Sequence, residues 1–456
     1  MIPRSTVGAG MFEYDSDSLK SIAEALIRRA GDLGASACAV DVSEHVGLDV
    51  NVRRRRVETI EQTRDKGMGV TVYVGTRRGH ASSSDFDLGA LGETVAAAYE
   101  IARYTAEDPC AGLPDPDTLA VEIPDLDLFH LWDVDAERAI AIAIAAETAA
   151  FDVSPLVRNS DGASVSVGYG HFFSANSLGF AGGYQFSRHS LACSPIARRG
   201  RSMQRDDWYS AHCNPRRLAD PAALGRYAAQ RALARLGARR ISTRSAPVLF
   251  ESPLACGLLG HFVQAVSGTS LYRKASFLVD SLGQQVFAPH IDITEDPHRR
   301  GEPGSAPFDA EGVATRKRAV VEAGTVAGYF LSTYSGRKLG MPSTGSAGGS
   351  HGLSLTSRRT RPGDDLSAML RALGTGLFVT EMMGQGVNYL TGDYSRGASG
   401  YWVENGVIAY PVEEITIAGN LREMFAAIEA VGADVIQRGN KRCGSVLIGK
   451  MAIAGT

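Results

Sequence analysis

Cysteine pairs, zinc-type histidine motifs and long apolar runs are all missing from this chain of 456 residues. Its six cysteines, Cys38, Cys110, Cys193, Cys213, Cys256 and Cys443, are scattered without CxxC spacing. That excludes a disulfide framework and a cysteine-based zinc site, and it fits reduced thiols in a cytoplasmic protein. No HExxH occurs. Met1 to Ser16 lack the apolar segment of a signal peptide, and Ala139 to Ala146, the most apolar stretch, is too short and alanine-rich to span a bilayer. Aromatic residues make up only 7%, whereas 51 glycines point to many turns and close backbone approaches, as in an antiparallel β-rich fold. Lys and Arg (47) nearly balance Asp and Glu (50). A formal charge of −3 supplies no field to hold nucleic acid or an anionic membrane, so neither is an expected partner.

What is present reads as an α+β chain. Leu19, Ile22, Ala23, Leu26 and Ile27 recur at helical spacing after Ser18. Leu48, Val50 and Val52, then Val70, Val72 and Val74, alternate with polar residues as in an antiparallel sheet. A second helix is expected from Asp87 to Tyr104. Four prolines and many acids without periodicity make residues 107–127 a linker between a first unit, 17–106, and a second, 128–240. The second unit is expected to hold an alanine-rich helix (Asp135 to Ala150), short strands between Ser164 and Leu191, and a helix opened by Asp220-Pro221. Residues 241–456 read as a β-rich, mostly antiparallel domain, with a helix from Ser252-Pro253 to Val266 and a hairpin at Asn405-Gly406.

Candidate chemistry is sparse. Gly348-Gly349-Ser350-His351-Gly352 has the letters of a nucleophile elbow, but its flanks read as turn and strand, which favours a glycine-rich turn. The same tract lacks the Lys-Ser/Thr of a phosphate loop. His290, Asp292, Glu295, Asp296 and His298 are the densest metal-type cluster and read more economically as a solvated acidic loop. Arg53 to Arg56 reads as a solvated sheet edge. His261 follows Gly260 in an apolar helix and fits a core or cleft histidine better than a catalytic one. Glu381, Asn388, Asp393, Ser395, Arg396 and Glu404 crowd a glycine-rich stretch whose loops could line a cleft.

Several longer segments, in order, carry a resemblance: Tyr272-Arg273-Lys274-Ala275-Ser276-Phe277, Phe308-Asp309-Ala310-Glu311-Gly312-Val313, Gly384-Gln385-Gly386-Val387-Asn388, Thr391-Gly392-Asp393-Tyr394-Ser395-Arg396-Gly397 and Glu414-Ile415-Thr416-Ile417-Ala418-Gly419-Asn420. With them the chain, from Leu19 to the C-terminus, resembles the TldD/PmbA family of DNA gyrase modulators, classed with metallopeptidases. The resemblance implies a cytoplasmic protease of two related chains, TldD and TldE, acting on unfolded or modified peptides such as microcin precursors and antitoxins. In TldD the zinc motif HExxxH lies on the helix that here begins at Ser252. Laid on this sequence, it places the two zinc histidines at Gly260 and Ala265 and the catalytic glutamate at His261. None is retained, so the resemblance implies no catalytic residue, metal or cofactor in this chain, with zinc supplied by a TldD-like partner. Cys443 lies where TldD also has a metal-binding cysteine, but the spacing does not match.

Two classes follow. The chain is either a structural and substrate-guiding subunit, with His261, Glu381, Asn388, Asp393, Arg396 and Glu404 in the peptide cleft, or an autonomous hydrolase using Glu381, Asp393 and Glu404 as acids and bases. Loss of the zinc ligands favours the first. A third reading, direct action on gyrase or RNA regulators, rests on the family's historical name and is opposed by the near-neutral charge. A homodimer is expected when the partner is missing, burying more than roughly 1,000 Å², with His261, Arg396 and Glu404 on an interior surface.

Overall fold

The computed structural model describes residues 10–455. Asp15 caps α1 (Ser16–Asp32), accepting from the Ser18 backbone N–H at 2.8 Å, so the cap lies three residues before Ser18. Three strands follow, β1 (Ala37–Arg53), β2 (Arg56–Val74) and β3 (Arg77–Ser83), and then α2 (Leu88–Tyr104), which buries Leu91, Val95, Ala98 and Ala102. After the 107–127 segment come α3 (Ala136–Phe151), β4 (Val157–Asn176), β5 (Ala181–Arg199), β6 (Ser202–Arg205), β7 (Trp208–His212) and α4 (Pro221–Ala234). Strands expected to be short therefore run to 20 and 19 residues in β4 and β5.

All seven strands belong to one antiparallel sheet, in the order β3-β2-β1-β4-β5-β6 with β7 also on β5. The β1–β4 pairing, from Ala39↔Asn176 to Val52↔Ala163, carries the sheet across both N-terminal units. One face lies under the helices: Val40, Val42, Val70 and Val72 pack with α1 and α2, and Val50, Val165 and Leu191 with α3 and α4. The alanine-rich α3 buries Ala139, Ala143, Ala146 and Ala150 completely, and only a glycine at 225 fits α4 against the Ala146 carbonyl.

The Arg53 to Arg56 run is the β1–β2 turn. Arg54 and Arg55 both have left-handed φ, 53° and 60°. Glu147 of α3, fully buried, compensates by accepting both their backbone N–H groups, at 2.8 and 2.6 Å.

The C-terminal half contributes twelve strands: β8 (Arg244–Phe250), β9 (Ile291–Glu295), β10 (Arg318–Glu322), β11 (Thr325–Val326), β12 (Leu353–Ser357), β13 (Gly376–Met383), β14 (Asp393–Glu404), β15 (Val407–Asn420), β16 (Ile428–Val431), β17 (Ile436–Arg438), β18 (Lys441–Cys443) and β19 (Val446–Ala454). They form two six-stranded sheets, β11-β10-β9-β12-β18-β17 and β15-β14-β13-β8-β19-β16. Only β12–β18 and β13–β8 are parallel. Five helices accompany them: α5 (Ser252–Ala265), α6 (Gly268–Tyr272), α7 (Thr333–Leu339), α8 (Leu366–Leu373) and α9 (Leu421–Ala426). The β14–β15 turn is Asn405-Gly406, with φ of 51° and 78°, as a tight hairpin requires. Phe250, Phe262, Phe287 and Phe425 centre a large shared core.

The 107–127 segment is stapled to the C-terminal half. Asp108 accepts from Tyr334 (2.7 Å) and Lys338 (2.9 Å), Arg337 reaches the Leu113 carbonyl (2.7 Å), and Leu119 bridges to Val313. Among the described residues no helix is long and apolar enough to cross a membrane.

Candidate functional site

Strand β8, between β13 and β19, delivers the chain into α5, whose Leu258, Leu259 and Phe262 are buried. The helix start is fixed from both halves of the molecule. Glu251, just before it, forms a two-pronged ion pair with Arg231 of α4, at 2.6 and 3.1 Å, and the Arg231 Nε also reaches Asp206 at 3.1 Å. Ser252 donates to the Asp434 carbonyl at 2.8 Å.

Along α5, Gly260 is open: a Cβ there would touch only the Lys441 side chain, at 3.7 Å. Ala265 is fully buried. Between them the His261 Nδ1 shares a 2.8 Å hydrogen bond with the Tyr389 hydroxyl, and the ring meets Tyr394 edge-on with centroids 5.8 Å apart. Burial, and secondarily the Arg396 cation, pull the His261 pKa down to about 4, so the ring is neutral at pH 7. Burial pushes Tyr394 up to about 12. The Arg396 Nε is buried without a hydrogen-bond partner among the described residues.

Of the six cleft candidates, the fold gathers His261 and Arg396 around Tyr389 and Tyr394. Asn388 on the adjoining loop and Asp393 at the start of β14 are exposed and engaged locally: Asn388 accepts from the Leu390 N–H at 3.0 Å and Asp393 from Thr391 at 2.6 Å. Glu381 is elsewhere, ion-paired with Arg235 of α4. Glu404 lies at the end of the β14–β15 hairpin and is exposed in the single chain. The three acids assigned to an autonomous hydrolase therefore do not converge.

The metal-type cluster disperses as well. His290 bonds Ser357 (2.9 Å) and the Ile428 carbonyl (3.0 Å), Asp292 pairs with Arg358 (2.8 Å), and Glu295 with Arg318 (2.7 Å). Ser350 is followed by strand β12 rather than a helix, so no nucleophile elbow forms. Among the described residues no three His, Cys, Asp or Glu side chains are grouped to hold a metal ion. On α5 itself a zinc ion would find one imidazole, already bonded to Tyr389, beside a glycine and a buried alanine. These residues do not fit the metal.

Sequence reasoning missed a trough between the N-terminal sheet and the C-terminal half. A shallow recess at Pro253, Gly257 and Lys441 shares Tyr209 with a cavity of about 460 Å³. That cavity shares Phe172, Tyr184 and Ser305 with a second of about 420 Å³, which shares Asp41 and Ala310 with a third of about 950 Å³. The floor is the sheet face opposite the helices. Asp309 holds one wall, accepting N–H bonds from Glu311 (2.9 Å), Val313 (3.0 Å) and Ala347 (2.9 Å), and burial pushes its pKa up to about 6. Gly348 to His351, read as a plain turn, lines the second cavity. The available signal was the run of aromatic residues, Phe172, Tyr184, Phe186 and Tyr209, on a strand face that no helix needs to cover.

Comparison with known proteins decides the family. The chain matches the PmbA/TldA metallopeptidase domain 1 over residues 38–102, the central domain over 129–236 and the C-terminal domain over 243–455. It is 46% identical to Metalloprotease PmbA of Escherichia coli O157:H7, across 91% of this chain and 92% of that one. The chain belongs to the PmbA/TldD metallopeptidase family. A Haemophilus influenzae PmbA homolog is 43% identical over 98% of both chains. Among solved structures, a Bacteroides thetaiotaomicron protein described as a modulator of DNA gyrase superposes with a TM-score of 0.91 at 25% identity, covering 97% of this chain and 100% of that one. TldE from Thermococcus kodakarensis shares the fold, with a TM-score of 0.80 at 17% identity over 95% of this chain and 100% of that one. The family's α+β architecture is thus the one expected from the residues.

Proposed function

We propose that this chain is the TldE-type, non-catalytic subunit of a two-chain cytoplasmic zinc protease, guiding unfolded or modified peptides, such as microcin precursors and antitoxins, to a TldD-like partner that carries the zinc. The observation that carries the reading is α5, rigidly placed yet offering a glycine, a neutral histidine and a buried alanine where a zinc peptidase needs two donors and a base. The His261, Tyr389 and Arg396 cluster then serves recognition: a hydroxyl, a ring nitrogen and an unpaired guanidinium N–H suit peptide amides and carbonyls. The trough, aromatic near Tyr209 and Tyr184 and charged near Asp41, offers an extended chain contact without demanding one sequence.

The test is co-expression with a zinc-bearing chain of the same family, followed by metal analysis of each subunit and a peptide-cleavage assay. The expected outcome is a complex in which zinc and cleavage follow the other chain, while this chain alone holds no stoichiometric zinc and cleaves nothing. One tight zinc per isolated chain with chelator-sensitive cleavage would overturn the reading.

A further inference from the structure

The trough changes sign along its length. The recess at its α5 end, of about 320 Å³, is lined by two cations, Arg438 of β17 and Lys441 of β18, and by no acid. The 460 Å³ cavity next to it has one cation, Arg188, and again no acid. Beyond that the charge reverses: Asp41 and Asp309 line the 420 Å³ cavity without a cation, and in the 950 Å³ cavity four acids, Asp41, Glu107, Asp108 and Glu311, face two cations. The two cations at the α5 end are built in. The Arg438 guanidinium lies over Trp208 and Tyr209, 4.6 and 4.0 Å from the ring centroids, and donates to the Tyr209 carbonyl at 3.3 Å. Lys441 donates to the Asn440 side-chain oxygen at 3.1 Å. Both acceptors are neutral, and Glu251, whose charge Arg438 feels, is held by the Arg231 fork. Burial lowers the pKa of Arg438 and of Lys441, as it does for cations drawn out of water with no carboxylate against them. Gly257 leaves room beside them, since a Cβ there would meet nothing within 4 Å.

We infer that this recess is the subsite for the C-terminal carboxylate of a peptide lying in the trough, which is therefore bound in one direction, carboxylate at the start of α5 and amino end towards Asp41. The inference rests on the peptide-guiding reading and adds an end and a direction to it. A carboxylate has two oxygens, one for the Lys441 ammonium and one for the Arg438 guanidinium, and charge-assisted bonds of this kind are the strong ones. The reverse orientation would set the carboxylate among Asp41, Glu107, Asp108 and Glu311, where like charges oppose it. Residues just before the carboxylate fall in the 460 Å³ cavity, against Tyr184, Phe186 and Tyr209. The substrate class is thus a peptide with a free C-terminus preceded by an aromatic or other apolar side chain.

The test is calorimetric titration of the full chain with a short N-acetylated peptide of Gly, Ser and Phe, made with a free and with an amidated C-terminus. The free acid should bind about tenfold more tightly than the amide. Lys441→Met should bring the acid down to the level of the amide and leave the amide unchanged, and Lys441→Arg should restore the difference. A photo-reactive residue placed next to the C-terminus should label α5 or the β17–β18 segment in mass spectrometry. Equal binding of acid and amide, a difference that survives Lys441→Met, or labelling of residues 105–114 would each overturn the inference and leave the guiding role standing. Binding of neither peptide would overturn both. Tight binding of inorganic phosphate that Lys441→Met abolishes, with acid and amide still equal, would assign the recess to a free anion and overturn the inference.

Discussion

The two ends of α5 are built on different plans. Its start is clamped from both halves of the molecule, by the ion pairs of Arg231 with Glu251 and Asp206 and by the Ser252 hydroxyl donating to Asp434. Its later turns hold Gly260, with space around it, and His261, whose hydrogen-bond partner among the described residues is a tyrosine hydroxyl. A helix that only filled a core would not need the first arrangement, since apolar packing alone is less costly than burying an ion pair. On the proposed function, a subunit that shapes a shared cavity would need a helix placed this firmly even without catalytic residues on it.

If the clamp sets the position of the helix, breaking it should be the most damaging change. Glu251→Ala leaves the Arg231 guanidinium buried beside a vacancy and should cost about 3–5 kcal/mol in urea unfolding. Ala265→His, which adds an imidazole on α5, forces a ring into a fully buried site and should cost about 1–3 kcal/mol, without zinc uptake in metal analysis. The middle of the helix should respond to pH. Because His261 is held near pKa 4 in the folded chain and titrates near 6.5 when unfolded, the unfolded chain takes up the proton first as pH falls. Its stabilising contribution is complete above about pH 6.5 and lost down to about pH 4; after discounting for partial exposure, His261→Gln should flatten that slope by about 1 kcal/mol. Finally, Gly260→Ala should stabilise the chain by about 0.5–1 kcal/mol in thermal unfolding, since the added methyl meets nothing closer than 3.7 Å. A destabilised Gly260→Ala would mean that the open position is required for the fold.

Local chemistry made some of this legible and distance hid the rest. Asp220-Pro221 and Asn405-Gly406 are self-sufficient signals, and both appear as read, a capped helix start and a tight turn. The Arg54-Arg55 turn carries no turn residue at all. It is held by Glu147, 93 residues beyond Arg54, so an arginine run looked like a strand edge. Glycines made β4 and β5 look short by interrupting the alternation at 168, 170, 182 and 183; at 183 a side chain would strike the Phe172 backbone. In the cleft, the proximity of His261 to Tyr389 and Arg396 joins α5 to a loop more than a hundred residues later, while Glu381, close to Arg396 in sequence, is drawn to Arg235 instead. The trough has walls from several separate stretches of chain, among them 105–114, 303–311, 347–351 and 437–441, which no local pattern can join.

The strap at 107–127 bears on the timing of synthesis. Its anchors, Val313, Tyr334, Arg337 and Lys338, lie some two hundred residues downstream. On the ribosome the first sheet can close once β5 has emerged, but the strap stays undocked until α7 follows. The wall it gives the 950 Å³ cavity therefore forms after the floor, and the trough becomes a walled channel only late in the life of the nascent chain.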